Sequence, residues 1–313
     1  MVGLSAKAVY RECMSLQVAF SERFIYALPP GHRFPIAKYE LVTEQLLYQG
    51  ILDPAALVDV GMVEGDVACL AHDEAFWQKI ERMEFSPKEI RRIGLPVNPI
   101  SVNRARNSTA GTVFATTQAL AKGLGLNMGG GTHHAYADHG EGFCLLNDIA
   151  VAAAWALDKK LVNKVLVVDL DVHQGNGTAH IFRQEPRVFT FSMHGKYNYP
   201  LRKEQSDLDV ALPKGTTDAL YLATLGYHLP RLLQEVKPDI VYYQSGVDVL
   251  ESDLLGHLSL SMEGVLRRDE LVFGHCHKAE IPVVLTMGGG YSSLATVVDA
   301  HFNTYRTAIE LLS

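Results

Sequence analysis

Short apolar, β-branched runs alternate along this chain with longer stretches of helical period. The clearest short runs are residues 164–170 (KVLVVDL), 187–192 (RVFTFS), 239–245 (DIVYYQS) and 281–287 (IPVVLTM). They are continuously apolar rather than alternating, which predicts parallel strands covered on both faces. Helices are predicted over about 37–49, 108–122, 147–158, 217–236, 263–280 and 293–312. Asn107 or Ser108 supplies an N-cap and Gly123 an end for the second; Asn147 caps the third, and Gly50 follows the first. Pro230 lies inside the 217–236 pattern, where a break or kink is expected. Strand–helix alternation without repeats or Pro/Ser-rich linkers predicts one α/β domain over residues 1–313. Its expected architecture is a three-layer α/β/α sandwich around a mostly parallel sheet. Ligands of such sheets bind at the carboxyl ends of the strands.

Composition narrows the picture. With 48% hydrophobic and 20% charged residues, the 313-residue chain has enough apolar content for a sizeable core. A formal net charge of −7 argues against a protein that tracks nucleic-acid phosphates, and it suits a cationic substrate. Cys13, Cys69, Cys144 and Cys276 have no C-x-x-C spacing, so neither a disulfide framework nor a thiolate zinc site is expected. No basic n-region with a long apolar h-region opens the chain, and no apolar run approaches the roughly 18 residues of a membrane span. An intracellular, cytoplasmic protein is expected, with the nucleus as the alternative in a eukaryote.

The chemistry-bearing residues lie where strands end. In residues 165–177 (VLVVDLDVHQGNG) an apolar strand runs into Asp169, Asp171 and His173. Side chains two apart on a strand share a face, and polar groups ending a buried strand are costly unless paired or bound to a cation. Asp171 and His173 together suit Zn²⁺ with an open position. A third ligand is expected at another strand's end, and residues 242–256 (YYQSGVDVLESDLLG) offer Asp248 or Asp253, between which spacing does not decide. Residues 129–144 (GGGTHHAYADHGEGFC) place His133 and His134 behind a glycine hinge, where imidazoles suit proton transfer near neutral pH. In residues 286–291 (TMGGGY) Tyr291 is placed to donate its phenolic proton to a developing oxyanion.

Other signals carry less. His275-Cys276-His277 reads as ordinary helix, because residues two apart do not share a helix face. Arg91-Arg92 and the Arg104/Arg106 pair read as solvated or ion-paired positions. Without a Gly-x-Ser-x-Gly elbow, a serine hydrolase is disfavoured.

Taken in order from about Asn103 to Tyr291, the segments GGGTHHA, GFCLLND, DLDVHQGNG, GVD-x-L-x-x-D-x-L-G and GGGY resemble the zinc-dependent histone deacetylase family of the arginase/deacetylase superfamily. His-Gln-Gly-Asn-Gly is most similar to the class IV branch. The resemblance implies Asp171, His173 and Asp248 as zinc ligands, favouring Asp248 over Asp253. It implies His133 and His134 as tandem catalytic histidines and Tyr291 as the carbonyl-polarising tyrosine. Asp169 would orient His133 and, near Ser192, join a site for K⁺ or Na⁺. Gly142, Phe143, Tyr199 and Gly289 would line an acyl-lysine tunnel. Asn176 stands where class I relatives carry an aspartate, and Gln174 where they carry a second histidine. No rim aspartate for gripping a substrate backbone is apparent. The implied activity is hydrolysis of acyl-lysine amides on protein, peptide or another acylated amine, with zinc, or with iron(II) as the alternative ion. Its rivals are an acetylpolyamine amidohydrolase, a two-metal arginase-like enzyme and a non-catalytic acyl-lysine binding module.

Overall fold

The computed structural model describes residues 16–312; Cys13 and the opening segment read above for a leader lie outside them. One eight-stranded sheet runs through the molecule, with strand order β2-β1-β3-β8-β7-β4-β5-β6. The strands are β1 (Val18–Ala19), β2 (Leu57–Val58), β3 (Leu124–Asn127), β4 (Val165–Asp169), β5 (Val188–Gly195), β6 (Leu208–Leu212), β7 (Ile240–Gln244) and β8 (Val283–Thr286). Every pairing is parallel, so the expected sheet is parallel throughout. Alternation of side chains along the strands then separates two cores. Leu166, Val168, Val241, Tyr243 and Leu285 pack on one face with the helices Lys38–Tyr48, Asp218–Val236, Met262–Lys278 and Leu294–Leu312. Val165, Val167, Ile240, Tyr242 and Val284 pack on the other with Pro99–Lys122 and Asp148–Asp158. This is the expected three-layer arrangement.

Three local expectations change. The helix predicted from residue 108 starts at Pro99, because Asn98 accepts hydrogen bonds from the backbone of Ile100 and Ser101 while Ser101 returns one, a capping box ahead of a proline at the first helical position. The Asp218–Val236 helix continues through Pro230 instead of breaking there. Arg104 is buried rather than solvated: its Nε donates to the Phe24 carbonyl at 3.0 Å, and its guanidinium lies 4.9 Å from the Tyr39 ring centre. Arg106 does pair with Glu64, at 2.5 Å. Cys276 is buried on its helix with His277 exposed beside it.

Candidate metal and catalytic site

The carboxyl ends of β4, β7 and β8 meet at one point. Asp171 and His173 follow β4, Asp248 follows β7, and the glycines and Tyr291 follow β8. All three side chains of the Asp171–His173–Asp248 group are buried, and one potential ligand atom from each lies within 4.8 Å of the others. His173 Nδ1 is 3.0 Å from Asp171 Oδ1 and 3.0 Å from Asp248 Oδ2. Ligand atoms around a tetrahedral zinc ion with bonds of ~2.0 Å sit ~3.3 Å apart, so the triangle has the right scale.

The backbone fixes these carboxylates. Asp248 Oδ1 accepts the Val172 amide at 2.9 Å, and Asp171 accepts the amides of His173 at 3.0 Å and Gly289 at 2.7 Å. Gly289 is required by proximity, since a Cβ there would fall 2.0 Å from Asp248 Oδ2. Burial, then the charge of Asp171, pushes the Asp248 carboxyl up to about 7. Burial opposes charge on His173, yet its bonds to Asp171 and Asp248 lift the imidazole to about 10. Two buried carboxylates sharing one imidazole form an electrostatically costly set that a divalent cation would relieve. The donor set of two oxygens and one nitrogen therefore fits a metal ion. Among the described residues no other group of three His, Cys, Asp or Glu side chains has this closeness.

The tandem histidines stand beside the triangle with ring centres 4.1 Å apart, but their partners differ. His133 Nδ1 donates to Asp169 Oδ2 at 2.7 Å. Burial works against its charge, but Asp169 and Asp171 outweigh it and raise the imidazole to about 9. His134 Nδ1 faces Asn176 Oδ1 at 2.6 Å; an amide oxygen only accepts, so Nδ1 carries the proton and Nε2 keeps its lone pair. Burial, and then the charges of His133 and His173, hold His134 well below its ordinary value.

Two residues not singled out from the sequence complete this arm. Asn176 Nδ2 donates to Glu141 Oε1 at 2.8 Å and to the Tyr136 hydroxyl at 3.1 Å. Those acceptors leave Oδ1 as the atom facing His134. Glu141 also accepts a hydrogen bond from Tyr199. The acidic residue within the GEGFC run was the available signal. A third unforeseen residue, Lys38, is buried and donates to the Gly288 carbonyl at 2.5 Å; burial lowers its amine to about 8 against the pull of Asp248 and Asp171.

A groove of about 560 Å³ opens over the triangle, and Gly142, Phe143, His134, His173, Tyr199 and Tyr291 line it. Phe143 and Tyr291 have ring centres 6.1 Å apart, and Tyr199 stands edge-on to His134 at 5.0 Å. Gly142 adopts φ +56°, where a Cβ would meet His134 Cδ2 at 2.6 Å. Asp253, the competing ligand candidate, instead accepts the Tyr291 amide at 2.6 Å. Ser192 lies beside Asp169 in the β4–β5 register and bonds to His194 Nδ1 at 2.9 Å. Gln174 bonds to Glu204 and Asp209, away from the triangle, so it adds no ligand for a second metal.

Comparison with known proteins bears on the family and the fold of this chain. A family described as histone deacetylase domain matches residues 32–305. An uncharacterised protein of the cyanobacterium Picosynechococcus is 40% identical over 296 residues, spanning 94% of this chain and 99% of that protein. "Histone deacetylase 2" of Arabidopsis thaliana is 29% identical over 289 residues, 89% of this chain and 75% of the relative. In fold, the crystal structure of the HDA15 HD domain superposes with a TM-score of 0.77 at 22% identity, covering 95% of this chain and 90% of that one.

Proposed function

The chain belongs to the histone deacetylase family, and on that premise we propose that it hydrolyses acyl-lysine amides with a divalent metal, zinc foremost, held by Asp171, His173 and Asp248. The observation that carries the reading is the buried two-carboxylate, one-imidazole triangle beside paired histidines at the base of an aromatic groove. When bound, the metal supplies Lewis acidity that acidifies water and polarises an acyl oxygen. Iron(II) suits the same oxygen-rich donor set.

The protein's own groups do the rest. Phe143 and Tyr199 flank the aliphatic lysine stem, and Gly142 and Gly289 let the backbone come close. His134 accepts the water proton at Nε2, while Asn176 fixes the ring from behind. His133, kept cationic by Asp169, stabilises negative charge as it develops, and one of the two imidazoles then protonates the departing amine. Tyr291 donates its hydroxyl proton to the acyl oxygen. Asp169 and Ser192, neighbours in the β4–β5 register, would supply oxygens to a site for K⁺ or Na⁺. The HQGNG segment supports a class IV-like member, for which long-chain acyl groups belong among the substrates.

The test is a panel of acyl-lysine peptides from acetyl to myristoyl, assayed with and without chelator and after zinc or iron(II) is restored. Hydrolysis of at least one acyl length, lost with chelator and regained with metal, is expected. Chelator-insensitive turnover would sink the metal assignment, and full metal occupancy with no turnover on any acyl amine would favour a binding module.

A further inference from the structure

The triangle beneath the groove is acidic, but the groove's mouth is not. Arg33, Arg91 and Arg92 line the mouth together with His32 and His257, and no Asp or Glu lines the groove among the described residues. All three arginines are exposed, and none is among the arginines that form ion pairs with carboxylates among the described residues. This is unexpected in a chain with 35 acidic and 28 basic residues.

The arc is held by backbone rather than left on a free loop. Arg91 and Arg92 occupy the last turn of the Pro87–Ile93 helix, whose start is fixed by a Ser86–Glu89 capping box and whose end is Gly94. The helix end bonds directly to the tunnel wall: the Gly142 amide donates to the Arg92 carbonyl at 3.2 Å, and the Phe143 amide to that of Ile93 at 2.6 Å. His32 Nε2 reaches the Gly94 carbonyl at 2.9 Å and its ring stands 5.7 Å from that of Phe143, bringing neighbouring Arg33 to the same edge. Guanidiniums gathered at one mouth repel one another, and each offers a planar fork that matches a carboxylate.

We propose that this mouth selects acyl-lysines embedded in acidic peptide segments, the carboxylates flanking the modified lysine engaging Arg33, Arg91 and Arg92. The inference rests on the acyl-lysine reading above and adds the charge of the substrate. It reverses the expectation of a cationic substrate drawn from net charge, and it disfavours acetylpolyamines, whose free amines would face the arginines.

Three peptides with one acyl-lysine and flanks of Glu, Gln or Lys form the test, each with an uncharged fluorophore, against the metal-loaded protein. Binding by anisotropy and kcat/KM by product release are measured side by side, with acetylspermidine as a fourth substrate. The Glu-flanked peptide is expected to exceed the Gln-flanked one by about tenfold, mostly in KM, with the advantage shrinking as salt rises. R91E/R92E should reverse the order of Glu and Lys flanks, whereas R91K/R92K, which keeps the charge, should preserve it. Equal binding and kcat/KM for all three peptides, or a preference for Lys flanks or acetylspermidine in the native protein, would overturn the proposal. Absence of hydrolysis of every acyl amine would instead count against the enzymatic reading, while anisotropy still reports the charge preference.

Discussion

The floor and the mouth of the groove are built on opposite plans. At the floor, Asp171 and Asp248 are buried and held by backbone amides at strand ends. At the mouth, Arg33, Arg91 and Arg92 are exposed and only their backbone is anchored. The first plan fixes side chains where the sheet is rigid; the second leaves charged side chains free to reach a ligand from a helix end and neighbouring segment whose backbone is tied to the groove wall. A net charge of −7 describes neither region, because the charges are sorted in space.

If the floor alone holds the metal, D248N breaks the comparison most severely. The amide oxygen can still accept the Val172 amide, so the fold should persist while bound metal falls towards zero and hydrolysis drops to background. Metal analysis with circular dichroism checks this. Full metal content in the variant would refute the ligand assignment. Next in size is Tyr291→Phe, which should keep the metal and lose about two to three powers of ten in kcat, the range for an oxyanion donor. Near-normal turnover would remove Tyr291 from the chemistry.

The floor was far more legible than the mouth. Asp171 and His173 follow from a buried strand ending in polar residues, and the long parallel strands are readable because they are apolar on both faces. Asp248 was not separable from Asp253 by spacing, since both follow the same glycine break; the backbone contact of Asp253 to Tyr291 appears only in three dimensions. The two strands at one side of the sheet, β2 at the edge and β1 next to it, have two residues each, too few to leave a period. The start of the Pro99–Lys122 helix was misplaced because Asn107 and Ser108 are cap-forming types occurring inside a helix. The arginine arc is assembled from residues nearly sixty positions apart, so no local pattern marks it.

Between floor and mouth, the segment carrying the histidines is latched by His72. Its Nδ1 bonds to the Tyr136 carbonyl and its Nε2 accepts the Asn147 amide, each at 2.9 Å. Burial pushes this imidazole down to about 4. The unfolded chain therefore binds a proton, between about pH 6.5 and 4, that the folded chain does not, so stability falls as pH falls through that window. The contribution is about 3 kcal/mol at full extent. H72Q offers a matching donor and acceptor without the titration. The difference between native and variant in urea unfolding should narrow from pH 7 to pH 4 in favour of the variant. A difference independent of pH would show that His72 does not titrate with folding.

The smallest predicted effect concerns the two histidines themselves. His133 leans on a carboxylate, whereas His134 leans on Asn176, behind which Glu141 stands at 2.8 Å. Converting Asn176 to aspartate would make the pair alike, and by itself that suggests improvement. Here it would set the new carboxylate against Glu141, where the amide had donated. Like charges at that distance in a partly buried site raise a pKa and push one group away. N176D alone should therefore lose about tenfold in kcat/KM at neutral pH, whereas N176D/E141Q, with an amide again between oxygens, should recover it. The coupling, about 1–2 kcal/mol for adjacent charged groups, is read from the double-mutant cycle. Equal activity of N176D with and without E141Q would mean that Glu141 does not hold the arm. Recovery would mean that this chain has moved the carboxylate supporting its second histidine one residue outward, to a side chain that also accepts from Tyr199 at the mouth.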